Sequence, residues 1–307
     1  MSMLKDALES GKFGITAEMA PPKGYDFTEQ MEAAELLKGK VHGVNVTDMQ
    51  SASLKATGLG LCIKLKQAGI EPILQMTGRD RNRMALMGDA LAAASFGIDT
   101  MLALTGDHPV VGDCKATKPV YDLDSVGILN MLTKMEQTGC DCGGNELAGG
   151  APTFYKGASV TPVYEPLFLQ INKLRQKVDA GAKYIQTQGI FDIDTYKRFL
   201  EEVDKAGIKT HIMAGIIPLK AAGMAKYMNE NVPGIDVPQH MIERLEAAAA
   251  EGKEKGVKGL PMQLGIIMAA EMIAMIKEEG LGDGVHIMAI GAEKNVPIIL
   301  EKAGLSI

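Results

Sequence analysis

Residues 182–216 read AKYIQTQGIFDIDTYKRFLEEVDKAGIKTHIMAGI, and this stretch decides the fold. Its first eight and last eight residues are short runs with the composition of strands. Between them, residues 194–206 have the apolar spacing of an amphipathic helix, which Gly207 ends. A strand, a helix and a second strand in this order predict a β-α-β unit with parallel strands.

The same alternation runs through the rest of the chain. Eight strand-like runs occur, at residues 13–20, 41–48, 70–77, 99–106, 154–161, 182–189, 209–216 and 284–291. Helical patterns occupy residues 27–38, 53–68, 81–96, 123–138, 166–180, 194–206, 219–230 and 294–303, with two further runs at 238–254 and 261–279. Six helices should end at glycines: Gly39, Gly69, Gly97, Gly139, Gly181 and Gly207.

Several of the strand-like runs lack polar alternation, which is typical of parallel strands that are covered on both faces. Eight β-then-α units in a chain of 307 residues predict an α/β fold, a (β/α)8 TIM barrel that forms a single domain over residues 1–307. A doubly wound open sheet is the alternative, because periodicity does not show whether a sheet closes.

The composition is that of an ordinary soluble protein. Hydrophobic residues make up 46% and charged residues 23%, which excludes disordered, collagen-like and disulfide-scaffold proteins. The net charge of -6, without a basic stripe, argues against nucleic acid as a partner. We expect neither a signal peptide nor a membrane span, since no apolar leader and no uncharged apolar stretch of about 18 residues is found. Four Cys without a leader indicate a reducing compartment, and we expect a cytoplasmic location.

In a TIM barrel the site lies at the C-terminal ends of the strands, so polar residues there are the candidates. Glu18 is the most informative, because its neighbours in sequence, residues 17 and 19–22, are apolar. A carboxyl group in such surroundings should be poorly solvated, which favours the protonated form and suits a general acid. The alternative is a structural Glu that pairs with Arg or Lys inside the barrel mouth.

Three further strand ends supply candidates. Asp107 follows Thr105-Gly106 and could approach a flat ligand and accept hydrogen bonds from it, or it could be a helix N-cap or a turn residue. Gln188 could read an amide-like heterocycle edge, or it could belong to a polar layer inside the barrel. Arg79 and Arg81 could hold an anion, or they could pair with carboxylates around the rim, and at least one should do the latter.

Other chemistries find little support in the sequence. Cys140 and Cys142 form a single C-x-C without a second pair at zinc spacing, and a solvated loop or a contact with a redox partner would explain them. The five His show no metal-ligand spacing, so no metal site is predicted. No nucleophile elbow, Walker loop or dinucleotide fingerprint is present, and any redox cofactor would have to bind at the barrel mouth.

Seven segments, taken together and in order, resemble the methylenetetrahydrofolate reductase family, whose members are flavin-dependent barrel enzymes. They are ITAEMAPPKG (15–24), GVNVTD (43–48), QMTGRDRN (75–82), GIDTMLALTGDHP (97–109), KVDAGAKYIQTQGIFD (177–192), AGIIPL (214–219) and GVHIMAIGAEKN (284–295). The Glu before the double Pro, the RDRN run, the LTGD-x-P turn and the QTQ-x-x-FD block are the most specific parts. The resemblance covers nearly the whole chain.

The resemblance implies a hydride transfer from reduced flavin, FAD or FMN, that converts 5,10-methylenetetrahydrofolate into 5-methyltetrahydrofolate. By the same resemblance, Glu18 is the general acid, Asp107 lies by the flavin and the pterin, and Gln188 orients the pterin. The positions that match flavin contacts are Thr47, Gln75, Thr105, Gly106, Asp107, Tyr121 and Lys177. Gln75 stands where some members have His.

Several positions depart from the family pattern. The segment PVYEP (162–166) replaces P-E-x-H-P, so flavin contacts from this region are not carried over. Ala222 stands where NADH-using members have a Phe that stacks on the dinucleotide, and Met288 and Ala292 replace a Tyr and an Arg. Losing an aromatic platform and a cation should weaken dinucleotide binding. We therefore expect electrons from a partner subunit rather than directly from NADH, as in the reductases of anaerobic one-carbon metabolism.

Two other functions fit the same barrel. A pterin-binding methyltransferase that acts with a corrinoid protein would share the barrel and the pterin but would not need flavin. A scaffold subunit would have no reason to keep an acid at the barrel mouth. The expected partners are thus a folate substrate and either a redox subunit or further copies of the chain.

Overall fold

Eight parallel strands close into a barrel in the computed structural model, which describes residues 2–307, and they follow one another around it in chain order. The strands are β1 (Gly14–Met19), β2 (Gly43–Val46), β3 (Pro72–Thr77), β4 (Thr100–Leu104), β5 (Tyr155–Val160), β6 (Tyr184–Gly189), β7 (His211–Ile216) and β8 (Gly284–Ile287). Strand β1 pairs with β8, with Thr16 opposite His286. This pairing confirms the predicted TIM barrel and excludes the doubly wound sheet.

Helices alternate with the strands and surround them. They are α1 (Met3–Glu9), α2 (Thr28–Leu37), α3 (Gly58–Gln67), α4 (Arg83–Ser95), α5 (Ser125–Thr138), α6 (Leu167–Asp179), α7 (Ile193–Lys205), α8 (Ala222–Asn231), α9 (Gln239–Lys255), α10 (Leu260–Glu278) and α11 (Val296–Lys302). The predicted helical stretches are confirmed, and the six glycines expected to end helices all have positive φ. The prediction that a helix begins at residue 53 was wrong, because α3 begins at Gly58.

Helix α1 was not predicted, and it covers the N-terminal end of the barrel. Its buried Leu4 and Leu8 pack onto side chains inside the barrel, including Ile73 of β3 and Met213 of β7. Ser2 caps the helix and its hydroxyl contacts that of Thr100 at 2.6 Å. Helix α1 thereby covers the interior of the barrel at this end.

The interior of the barrel is layered along its axis. Above the apolar layer that α1 covers, the ring of Tyr184 fills the space beside Gly157, where an added Cβ would lie 2.3 Å from a ring atom. Above the ring, Thr16, Asn45 and Gln186 form a buried polar layer. The side chains of alternate strand residues point outward, toward the helices, and form the larger apolar core.

One helix among residues 2–307, α10, is long and apolar enough by length and composition to cross a membrane. Helix α10 contains the charged residues Glu271, Lys277 and Glu278, so it is not an uncharged apolar stretch of about 18 residues, in agreement with the sequence analysis. Seven residues of α10 are buried, and the helix packs against β7, α9 and α11. Helix α10 is thus part of the outer helical layer of the barrel.

Candidate functional site

An open cavity of about 430 Å³ lies at the C-terminal ends of the strands. Its lining includes seven of the nine residues to which the family resemblance assigns a role: Glu18, Gln75, Thr105, Gly106, Asp107, Lys177 and Gln188. They come from five different strands or the segments that follow them, and the closed barrel brings them together. The volume is within the range of about 300–1,000 Å³ that is usual for small-molecule sites.

Glu18 lies at the floor of this cavity and is 9% exposed. Its carboxylate accepts hydrogen bonds from Gln75 Nε2 at 3.2 Å and from Gln50 Nε2 at 3.4 Å. His286 Nε2 lies 3.6 Å from Oε2 of the same carboxylate. The carboxyl group is therefore held between two amide donors and an imidazole.

The surroundings of Glu18 differ from the sequence expectation. Burial is confirmed, but the expected apolar setting was wrong. The side chains of Ala17 and Met19 belong to the apolar core outside the barrel, because successive side chains of a strand point to opposite faces. The alternative of a Glu paired with Arg or Lys is also wrong, because among residues 2–307 no Lys or Arg nitrogen lies within 4.0 Å of this carboxylate.

The segment that carries Gln50 is conformationally strained. It follows β2, and Met49, Ser51 and Ala52 all have φ between +50° and +53°. Non-glycine residues in this region store strain that surrounding contacts must hold, and such positions cluster at functional sites. The loop after β4 supplies one such contact, since a Cβ on Gly112 would lie 1.9 Å from the Ala52 carbonyl oxygen.

The turn Thr105-Gly106-Asp107 forms one wall of the cavity. Gly106 has φ +90°, and a Cβ there would lie 2.3 Å from Thr77 Cγ2, so this position requires glycine. The exposed Asp107 carboxylate makes no hydrogen bond within residues 2–307, and the turn that follows is capped by His108, so the N-cap interpretation of Asp107 was wrong. Tyr121 lies behind this wall, where its hydroxyl donates to the Gly106 carbonyl at 3.1 Å.

Gln188 and Lys177 line the opposite side of the cavity. Gln188 Oε1 accepts from the Gly189 N–H at 3.1 Å, which leaves its amide NH2 facing the cavity without a partner among the described residues. Lys177 Nζ donates to the Ser159 carbonyl at 2.6 Å. Burial lowers the pKa of Lys177 to about 8, and the positive charge of Lys173 acts in the same direction.

Thr47 and Tyr121 do not line the cavity. Thr47 is buried next to the strained segment, and its hydroxyl has no hydrogen-bond partner within residues 2–307. Arg81 pairs with Asp48 and with Asp89, so the rim interpretation holds for this arginine.

Arg79 pairs with Asp80 but also lines the cavity wall. Its guanidinium donates to the backbone carbonyls of Asp107, at 3.2 Å, and Met49, at 3.0 Å. Arg79 therefore ties together the two loops that border the cavity. The positive charge of Arg79 is paired with the Asp80 carboxylate, and its remaining hydrogen bonds go to these two carbonyls.

Sequence reasoning missed two residues that contact Glu18. His286 was passed over because only metal-ligand spacing was considered for the histidines. The alternation along β8 and the residue after it, which puts Gly284, His286 and Met288 on one face, would have predicted that His286 points into the barrel. Gln50 had no such signal, because it contacts Glu18 from a non-repetitive turn.

The remaining residues that the sequence singled out lie elsewhere. Cys140 and Cys142 follow α5 and precede β5, so they lie at the end of the barrel opposite the cavity. A partner protein that bound at these two cysteines would therefore not contact the cavity. Met288 lines the cavity, whereas Ala222 and Ala292 do not.

Comparison with known proteins finds a family match along nearly the whole chain. A family model described as methylenetetrahydrofolate reductase matches residues 3–304. A Salmonella typhimurium 5,10-methylenetetrahydrofolate reductase is 24% identical over 282 residues, which cover 89% of this chain and 85% of that protein. A probable methylenetetrahydrofolate reductase (NADPH) of Caenorhabditis elegans is 24% identical over 255 residues, 83% of this chain. The chain spans only 34% of the length of that relative, and 39% of a 28% identical Saccharomyces cerevisiae methylenetetrahydrofolate reductase.

A solved structure shares the fold. It is a Clostridium thermocellum protein that binds two copies of 5-methyl-5,6,7,8-tetrahydrofolic acid. The two chains superpose with a TM-score of 0.63 at 16% sequence identity, over 98% of each chain. At this identity, the similarity concerns the fold.

Proposed function

Because the chain belongs to the methylenetetrahydrofolate reductase family, we propose that it reduces 5,10-methylenetetrahydrofolate to 5-methyltetrahydrofolate with a reduced flavin as hydride donor. One observation carries the proposal. Glu18, Asp107 and Gln188, which the family resemblance makes the acid and the pterin contacts, line the same cavity although they come from β1, from the loop after β4 and from β6.

The cavity residues suit a flavin, FAD or FMN. An isoalloxazine ring is flat and carries amide-like donors and acceptors on one edge, and Gln75 and Gln188 offer matching groups. The absence of a side chain at Gly106 lets the backbone approach such a ring closely, and Lys177 supplies a cation on the other side. We assign Thr105, Gly106, Gln75 and Lys177 to flavin binding, with Tyr121 and Thr47 supporting the walls. The flavin, when bound, supplies the hydride that completes the methyl group.

The chain's own residues then bind the folate and move one proton. The bridging carbon stays on N5 in the product, so the bond that breaks is the one to N10. Glu18 donates its proton to N10 as this bond breaks, and the carbon is left as an iminium that can accept hydride. Gln188 holds the pterin through its free amide NH2 group. Asp107, exposed at the cavity wall, accepts hydrogen bonds from N–H groups of the ligands.

A partner subunit, rather than NADH, is proposed as the electron source. Among the described residues that line the cavity there is no Phe, Tyr or Trp on which a nicotinamide could stack. Ala222, which replaces the family's stacking Phe, lies outside the cavity. An aromatic pair contributes about 0.5–1.5 kcal/mol, and its loss favours delivery of electrons by another protein with its own redox carrier.

The test is an anaerobic visible spectrum of the purified chain, before and after addition of 5-methyltetrahydrofolate. We expect flavin absorbance that bleaches on addition, because the reverse reaction reduces the flavin. The variant Glu18→Gln should bind flavin but bleach at least about 100-fold more slowly, as expected for loss of a general acid. Glu32→Gln, at an exposed position on α2, is the matched control and should bleach like the parent.

Two outcomes would contradict the proposal. A protein that stays colourless after FAD or FMN is supplied would overturn the reductase function and favour the methyltransferase alternative. Rapid flavin reduction by NADH in the isolated chain would overturn the proposed electron source but leave the folate reaction intact.

A further inference from the structure

Four buried polar side chains form a hydrogen-bonded chain across the barrel interior, directly beneath Glu18. Asn45 of β2, Gln186 of β6, Thr16 of β1 and His286 of β8 are all at most 3% exposed. Gln186 Nε2 lies 3.2 Å from Thr16 Oγ1, and Thr16 Oγ1 lies 3.0 Å from His286 Nδ1. The last member, His286, faces Glu18 through Nε2.

With the amide orientations that Asn45 and Gln186 have in the structure, the direction of these hydrogen bonds can be followed from one residue to the next. Asn45 and Gln186 exchange two bonds, of 2.7 and 3.1 Å, through their amide groups. Gln186 Nε2 uses its second proton to donate to Thr16, so the Thr16 oxygen is an acceptor there. The hydroxyl proton of Thr16 is then free for His286 Nδ1. A neutral imidazole that accepts at Nδ1 carries its proton on Nε2, which faces Glu18.

While Glu18 is ionised, the electrostatics at its carboxylate favour the same tautomer of His286. The carboxylate accepts from the side-chain amides of Gln75 and Gln50. The opposite tautomer of His286 would place a nitrogen lone pair 3.6 Å from a carboxylate oxygen, which is repulsive, whereas an N–H at this distance is attractive. His286 is also the only His, Lys or Arg within residues 2–307 that has a nitrogen within 4.0 Å of this carboxylate.

We propose that Thr16 is a positioning residue: it fixes His286 as the Nε2–H tautomer, and that N–H orients the Glu18 carboxylate for proton transfer. The second half of this inference rests on the proposed function. Thr16 itself touches neither flavin nor folate, because it lies below the cavity and is fully buried. The buried hydrogen-bonded chain thus couples the barrel interior to the group that moves the proton.

The experiment compares Thr16→Val, which keeps the shape and removes the hydroxyl, with Thr16→Ser, which keeps the hydroxyl. The tautomer of His286 is read in the full chain from long-range proton–nitrogen NMR correlations of ¹⁵N-labelled histidine, with His286→Gln to assign the signal. The spectrum is recorded well above the pH at which imidazoles ordinarily titrate. We expect Nε2–H in the parent and in Thr16→Ser, and a mixture of tautomers in Thr16→Val.

Steady-state kinetics supply the second readout. In Thr16→Val we expect kcat for the folate reaction to fall about 10- to 100-fold while KM is unchanged, and in Thr16→Ser we expect a change of less than about threefold. Thermal unfolding by circular dichroism checks that both variants are folded. A purely structural role would lower the unfolding temperature of Thr16→Val without changing kcat, and this result would overturn the proposal.

The NMR readout separates this inference from the proposed function. A parent chain with His286 as Nδ1–H overturns the inference, whatever the folate activity. A parent chain with the Nε2–H tautomer but without folate reduction overturns the proposed function. The proposed link from His286 to proton transfer by Glu18 is then overturned as well. The conclusion that Thr16 fixes the tautomer of His286 is still supported.

Discussion

The substitution Lys177→Met should stabilise the chain at neutral pH. Lys177 is a charged side chain that is largely removed from water, and burial lowers its pKa from 10.5 to about 8. When both states carry the proton, this displacement corresponds to about 3 kcal/mol of unfavourable free energy, most of it from desolvation and the rest from the charge of Lys173. Methionine loses the hydrogen bond to the Ser159 carbonyl, which costs about 1 kcal/mol. The net gain in the free energy of unfolding should be about 2 kcal/mol.

The gain should depend on pH with a defined sign. Below about pH 8 the folded and unfolded chains both keep the Lys177 proton, so the penalty is fully present. Between about pH 8 and 10.5 the folded chain loses the proton and the unfolded chain retains it. Stability of the parent rises with pH wherever the unfolded state binds more protons, and the advantage of Lys177→Met should therefore disappear toward pH 10.5.

Urea unfolding of both proteins, followed by circular dichroism from neutral pH to about pH 10, measures this difference. Lys173→Met is the matched control on the same helix. Because the charge of Lys173 depresses the pKa of Lys177, its removal should shift the rise in stability to higher pH without abolishing it. If Lys177→Met destabilises the chain at neutral pH, and by the same amount at every pH, the desolvation argument is refuted.

Three further substitutions test the walls and the floor of the barrel. Gly157→Ala should lower the free energy of unfolding by about 3 kcal/mol in urea unfolding, because its Cβ would overlap a fully buried tyrosine ring. The control Gly88→Ala, in open space on α4, should raise the free energy of unfolding by up to about 1 kcal/mol. Equal effects of Gly157→Ala and Gly88→Ala would contradict the argument from steric overlap. Leu4→Ala should cost about 2–5 kcal/mol in the same assay, and a loss below about 1 kcal/mol would mean that α1 does not hold the barrel end. Tyr121→Phe removes the hydrogen bond that holds the loop after β4. We expect flavin to dissociate a few-fold faster, as measured by flavin fluorescence. An unchanged dissociation rate would show that the cavity wall does not need this bond.

The sequence was sufficient for the barrel but not for the surroundings of its acid. Eight buried strands and their helices were predicted because apolar runs and glycine stops are local signals. Helix α1 was missed, since seven residues with few buried positions have a weak pattern, and its partners inside the barrel are distant in sequence.

The same physical reason explains the error at Glu18. Its neighbours in sequence face the outer core, and the groups it contacts come from β3, from β8 and from a strained turn. Periodicity describes one strand at a time. Contacts across the barrel depend on register and closure, which no local pattern specifies.

The seam between β1 and β8 has a consequence for synthesis of the protein. Thr16 and His286 are 270 residues apart, so Glu18 is synthesised long before its imidazole neighbour. The pairing of β1 with β8 cannot form until β8 and all the strands between them have been made. A nascent or truncated chain that ends before Gly284 carries the acid without its imidazole neighbour and an interior that is open to water along one side. The floor of the cavity is thus incomplete until β8 has been synthesised and paired with β1.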